Sequence, residues 1–478
     1  MSFAPARIVE AIVSDRARFA AFCCFALFVA LTGGGSRSDI STLIVLRPAA
    51  ILFTVYPLLL VTRAQLREVR VPLGVVVALM ALALLQLVPL PEALWSRLPN
   101  RDVLVQISAI AGMEGLARPL SLDPNRTWNT FFALFVPLAA ICLFAIQAPR
   151  HRPQAVAVFM AIGLLSALVA LGQALGASNL YFYDITHQGS PVGLFANKNH
   201  QAVLLLWLMV AGCWLAAVAD PRRHSANVTI GGSVALILVL FPLLVLTGSR
   251  AGLLLCAPTL AICGWLLMSA PGLANVRAWA GNRARLVIGG IGAILVTPLI
   301  FVLGVLAFSD RQTALSRLFE IDAAEELRWR YLPLFGQMVL DFLPFGTGFG
   351  AFENVFYMYE PSETLSSRYL NQAHNDPVQL IIEGGLPALA ILAVALAWFA
   401  LSTWRLWRSR NPGDAQAAVF LGGSVLLWMG ASFVDYPLRT PLAAALVATL
   451  TAHLSFLSTG LRSRSDAPPK LGATAESH

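Results

Sequence analysis

Charge is scarce in this chain. Only 12% of its 478 residues are charged, against about 25% in soluble domains, while 58% are hydrophobic and the mean hydropathy is +0.72. That balance excludes an ordinary soluble domain and leaves the polytopic membrane class. A disulfide framework is excluded too. The six cysteines, Cys23, Cys24, Cys142, Cys213, Cys256 and Cys263, all fall inside hydrophobic runs, where they read as small core residues. The sequence contains neither GxxxxGK[ST] nor His-x-x-x-His, so ATP hydrolysis and zinc chemistry have no visible machinery. No internal repeat is evident. The net charge is +8, but no basic stripe with interleaved aromatics stands outside the apolar runs, which argues against a nucleic-acid partner.

What is there is a series of apolar runs. A span needs about 20 mostly apolar residues, and the sequence predicts about twelve, near 19–35, 41–61, 71–90, 128–147, 155–175, 201–218, 228–246, 252–269, 287–307, 386–403, 417–433 and 441–457. The fold class expected is an all-α polytopic membrane protein. Its organisation is then an N-terminal block of helices over 1–307, a large loop over 308–385, three helices over 386–457 and a disordered tail over 458–478. The first run, preceded by Arg16 and Arg18, has the outline of a signal peptide but reads as a retained anchor.

Short connections on one side carry Arg16 and Arg18, then Arg63, Arg67 and Arg70, then Arg150 and Arg152, then Arg222 and Arg223, then Arg277, Arg283 and Arg285, then Arg405, Arg408 and Arg410. The positive-inside rule makes that side cytoplasmic, with both termini. The longer loops 91–127 and 308–385 then lie on the periplasmic side of a bacterial inner membrane. Arg47, a few residues inside the second run, is either a functional intramembrane charge or a snorkelling one.

The loop 308–385 is the one extramembrane piece large enough for structure of its own. Asp322 to Glu325 resembles a capping box, and Leu327, Tyr331, Leu334, Met338 and Phe342 recur at helical spacing, which predicts an amphipathic helix ending near Pro344. Gly346, Gly348 and Gly350 are spaced like part of a dinucleotide fingerprint, but no βαβ context surrounds them and they read as a tight turn. Further on, Asn371-Gln-Ala-His-Asn-Asp-Pro377 predicts a helix start with Asp376 as N-cap and Pro377 at the first position, and Gly384-Gly385 as its stop. His374 therefore stands before a helix N-terminus, where the dipole disfavours imidazolium and leaves a neutral base. The bland alternative is a surface histidine in a turn. Arg250, Arg328, Arg330 and Lys198 supply cations on the same inferred side, and arginine is suited to bidentate binding of phosphate oxygens. Their convergence suggests a pyrophosphate-linked lipid.

With these residues in view, the chain resembles the O-antigen ligase/polymerase superfamily of bacterial envelope glycosyltransferases. The matching pieces are Gly193 to Ala202, Ser249-Arg250, Leu327-Arg328, Pro344 to Phe352, His374-Asn375-Asp376, Glu383 to Pro387, Asp435 to Arg439 and, in the first long loop, Pro119 to Pro124. The resemblance implies a GT-C-like helical fold with no cofactor, nucleotide sugar or metal requirement. It also implies a glycan donor on undecaprenyl pyrophosphate, delivered at the periplasmic leaflet, and inverting displacement at the anomeric carbon. By position, Arg250 and Arg328 would bind the pyrophosphate, with Arg330 as an alternative to Arg328. His374 would deprotonate or orient the acceptor hydroxyl. Asn197, Lys198, Asn199, Asn375 and Asp376 are the further candidate substrate contacts, and His200 reads as an edge-of-span residue. Relatives often carry a second histidine where this chain has Gln372, so a local two-histidine mechanism is not available.

The acceptor separates two activities. Transfer to the next lipid-linked repeat makes a polymerase, which the extended Tyr357 to Pro361 segment favours, and transfer to lipid A core makes an O-antigen ligase. A protein O-oligosaccharyltransferase is a third outcome. From a different class, a secondary transporter of about twelve spans would show inverted repeats and midplane charges, whereas here charge collects at the ends of the runs.

Overall fold

A computed structural model describes residues 13–37, 39–220, 225–273, 330–364 and 370–465, with isolated positions between 281 and 300. The helices, in order, are α1 (Asp15–Thr32), α2 (Thr42–Leu60), α3 (Arg63–Glu68), α4 (Arg70–Gln86), α5 (Glu92–Trp95), α6 (Asp102–Ile110), α7 (Pro124–Ala133), α8 (Phe135–Ala145) and α9 (Arg152–Ala174). They continue as α10 (Lys198–Ala217), α11 (Ser225–Leu246), α12 (Arg250–Met268), α13 (Leu332–Phe342), α14 (Phe352–Phe356), α15 (Asp376–Trp407), α16 (Pro412–Ser432) and α17 (Pro441–Ser465). Among the described residues the one sheet is a two-stranded antiparallel ribbon, β1 (Pro89–Leu90) with β2 (Arg118–Pro119).

Nine helices among the described residues are long and apolar enough to cross a membrane, as nine of the predicted spans require. α1 is 18 residues long but carries Asp15, Arg16 and Arg18 in its first turn, and α4 is a shorter apolar helix. The predicted span 287–307 and the start of the predicted amphipathic helix at Asp322 lie largely or wholly outside the described residues.

α10 is the hub. Its run Val203 to Ala217 is apolar on every face, the pattern of a helix wrapped by others, and nearly all of it is buried against α9, α11, α12 and α16. Its polar residues, Lys198, Asn199, His200 and Gln201, are confined to the N-terminal turn, and the last three are buried there. That single turn brings polar chemistry into the bundle.

Three of the basic connections meet at the other end. α17 starts beside α10's N-terminus, where Thr440 meets His200, and fourteen residues further on, roughly 21 Å along the axis, Ser455 Oγ donates to the Glu68 carbonyl. There Arg150 pairs with Asp15 at 2.8 Å, Arg152 pairs with Glu68 at 2.8 Å, and Gln147 donates to the Arg18 carbonyl. The charge pattern thus marks a real end of the bundle.

α13 and α14 form a small aromatic core of their own, in which Phe335, Phe352 and Phe356 are fully buried, worth about 1.5–3 kcal/mol apiece. The buried stripe of α13 runs through Tyr331, Phe335, Met338 and Phe342. Phe335 therefore takes the place expected of Leu334, because a 4-3-4 spacing points the larger ring at α14. The glycine turn after α13 packs onto a break in α15. Gly346 and Gly385 both have positive φ (79° and 61°). A Cβ on Gly346 would stand 2.6 Å from the Glu383 carbonyl oxygen, and one on Gly385 2.2 Å from that of Pro344. Thr347 and Gly348 N–H donate to the Ile382 and Glu383 carbonyls, and Gln86, at the end of α4, bridges the Glu383 carbonyl and the Phe349 N–H. The tight turn expected at these glycines fixes the direction of Glu383.

Candidate functional site

Two segments distant in sequence, 197–199 and the turn at His374, converge on Asp435. Its Oδ2 accepts from Asn197 Nδ2 at 3.0 Å and Asn199 Nδ2 at 2.7 Å, and its Oδ1 accepts the Tyr436 N–H at 2.9 Å. His374 Nδ1 lies 3.0 Å from the same Oδ1. Three amide donors and an imidazole N–H are the complement of a carboxylate, which when ionised only accepts. His374 Nδ1 is then the donor. The histidine ring is only 9% exposed and stands edge-on to Tyr436, with ring centroids 4.7 Å apart.

Local sequence explains the pose. His374 has φ 50°, a left-handed conformation that costs a non-glycine residue on the order of 1 kcal/mol and turns the side chain back toward Asp435. The turn is held from below by buried Gln379, whose Oε1 accepts the Ala373 N–H at 2.8 Å and whose Nε2 donates to Gln372 and Glu383. Gln372 is thus part of the brace under the histidine. The expected N-cap shifts by one residue: Asn375, not Asp376, caps α15, its Oδ1 accepting the Val378 N–H at 3.1 Å. Asn and Asp cap equally well and proline suits either early position, so composition alone did not separate them.

Freed from capping, Asp376 accepts from Arg439 Nε at 3.1 Å and from Ser432 Oγ at 3.0 Å. Arg439 Nη2 reaches Glu383 at 3.2 Å, and Asn375 Nδ2 donates to the Phe433 carbonyl at 3.0 Å. The segment 432–439 is therefore laced onto 374–383. Burial opposes the charge on Arg439, but the carboxylates of Glu383 and Asp376 outweigh it and raise the guanidinium's pKa further.

The cationic candidates fall as follows. Ser249 caps α12 through the Gly252 N–H and donates its hydroxyl to Asn199 Oδ1 at 2.8 Å. Arg250, the first residue of α12 and half-buried, is joined to His374 by the chain Ser249, Asn199, Asp435. Lys198 Nζ lies 4.0 Å from where a Cβ on Gly248 would be, so it borders the same turn. Arg330 is exposed, ahead of α13. Arg328 lies outside the described residues. His200 is buried, with Nδ1 2.9 Å from Thr440 Oγ1. Arg47 donates to Asn129 Oδ1 at 2.9 Å.

Sequence reasoning missed Asp435 and Arg439 as site residues, although both stood in the segment quoted for the resemblance. It also missed Gln379. The only signal for Asp435 was an acidic residue buried in a very short connection between two apolar runs.

Residues 234–393 match the family model described as O-Antigen ligase. This segment is similar to the O-antigen ligase family. The match supports membership of the O-antigen ligase/polymerase superfamily, and it indicates glycan transfer of that general type. No curated protein matches the chain significantly. Within the O-antigen ligase segment lie Ser249, Arg250, His374, Asp376 and Glu383, whereas Asn197, Asn199, Asp435 and Arg439 come from outside it. The geometry closes the site from both sides of the matched region.

Chemically the arrangement is a base with an orienting group. A carboxylate can fix the tautomer and ring plane of the imidazole, and the helix N-termini of α10, α12 and α15 lie near it. Such ends favour negative charge.

Proposed function

We propose that this protein transfers a glycan from undecaprenyl pyrophosphate to a hydroxyl acceptor at the periplasmic face of the inner membrane, by inverting displacement at the anomeric carbon without a metal. The observation that carries this reading is the His374–Asp435 pair, set beside the helix N-termini that hold Asn197 to Asn199 and Ser249-Arg250. His374 Nε2 removes the acceptor proton as the hydroxyl oxygen attacks, and Asp435 stabilises the imidazolium that forms. Arg250, with Arg328, takes the charge that develops on the departing pyrophosphate. Asn197 and Asn199 hold Asp435 in place.

The acceptor we favour is the next lipid-linked repeat unit, which makes the protein a polysaccharide polymerase. The ligase reading, with lipid A core as acceptor, draws on the description of the matched family. Purified protein given lipid-linked repeat units, with and without lipid A core, tests both. Ladders of lengthened glycan without core support the polymerase, product only with core supports the ligase, and no transfer under either condition contradicts the proposal.

A further inference from the structure

A chamber lies beside the segment 371–376. It is a cavity of about 670 Å³ bordered by Asn371, Gln372 and Asp376, and His374 and Arg250 are not among the residues that line it. Four arginines line it, and three face a carboxylate. Arg37 pairs with Asp39 at 2.8 Å, Arg126 with Glu353 at 2.6 Å, and Arg439 with Asp376 at 3.1 Å.

Arg47 is different. Its one cavity partner is the neutral Asn129, its buried Nε has no hydrogen-bond partner, and among the described residues no carboxylate comes within salt-bridge distance. It sits on the second turn of α2, inside a candidate membrane span. A fixed charge at such a depth without a counter-charge is costly and marks a ligand site by default. The cavity wall changes character away from it, to Leu79, Pro137, Leu392 and Leu396. Leu392 and Leu396 belong to the spanning stretch of α15, and Leu396 is 38% exposed, so the apolar wall reaches the outer surface of the bundle. An arginine without a carboxylate partner, above an apolar wall open to the bilayer, suits an amphiphile with an anionic head.

We infer that this cavity is a second lipid-phosphate site. A long-chain phosphate ester places its headgroup against Arg47 and its chain along α15, and it presents the acceptor toward His374. The acceptor role rests on the transfer reading above, but the binding does not.

Native mass spectrometry and titration of the full-length protein in detergent test it, with farnesyl pyrophosphate, dioleoyl phosphatidic acid and inorganic pyrophosphate as probes. Arg47→Gln is expected to weaken amphiphile binding by about tenfold or more, the size of a lost charge-assisted pair. Leu396→Trp, which narrows the chain's path and leaves every charge in place, is expected to weaken the amphiphiles and not inorganic pyrophosphate. Arg250→Gln is expected to leave the Arg47-dependent equivalent bound. A preference between the two amphiphiles identifies an isoprenoid or an acyl chain. Wild-type binding in both Arg47→Gln and Leu396→Trp overturns the site, as does loss of all amphiphile in Arg250→Gln. If Arg47→Gln does not fold, Leu396→Trp decides. These readouts involve no glycan transfer, so the site stands or falls separately from the catalytic proposal.

Discussion

His374 Nδ1 lies 3.0 Å from Asp435 Oδ1, across 61 residues of sequence and the whole of α15 and α16. Asp435 is 1% exposed, and His200 Nε2 is 4.0 Å from the same Oδ1. If this pair sets the tautomer of the base, Asp435→Asn should lower transfer by on the order of 10²–10⁴, the range expected for a mispositioned general base, with donor binding retained. Separate measurement of binding and turnover checks this. Near-normal turnover would make Asp435 a purely structural ligand of Asn197 and Asn199.

The arginines test the pyrophosphate assignment. Arg250→Lys keeps charge but loses the fork, and Arg328→Ala loses both, so each should reduce transfer by tenfold or more, about 1.4 kcal/mol. The protein should still insert in the membrane. Arg277→Ala, placed on the cytoplasmic side by the charge pattern, is the control and should change little. Normal product from either site variant would remove that arginine from the pyrophosphate.

Arg439 is expected to matter for stability first. Its removal leaves Glu383, which is 1% exposed, and Asp376 without their cation. Arg439→Gln should therefore destabilise the protein by roughly 3–5 kcal/mol, as for other broken buried pairs. A melting curve in detergent measures it, and an unchanged midpoint would show that the two carboxylates do not need the pair.

Sidedness has its own test. A reporter fused near residue 365 should read periplasmic and one near residue 280 cytoplasmic. The reverse pattern would put the donor on the wrong side of the membrane for His374.

The class of fold was legible because apolar run length is a direct physical requirement of a bilayer. The helix start near Asp376 was legible because Asn, Asp and Pro punctuate it. His374 stood out because it adjoins such a start. Its charge environment did not stand out: the Asp435 carboxylate lies 3.0 Å from its Nδ1. Asp435 is brought there by the return of two spans, and no spacing rule connects residues so far apart. The offset between Asp376 and Asn375 has the same origin, since local propensity allowed both and the tertiary pairing of Asp376 with Arg439 chose between them. Gln379 was hidden because a buried glutamine on a helix has no pattern of its own, although it holds the loop that carries the base.

The most direct measurement is His374→Ala, with lipid-linked donor binding and product formation read separately on the same purified protein. The account predicts unchanged donor affinity with transfer reduced by on the order of 10²–10⁴ or abolished. A variant that binds donor poorly and yet turns over normally once saturated would contradict it, and would make His374 a binding residue and not the base.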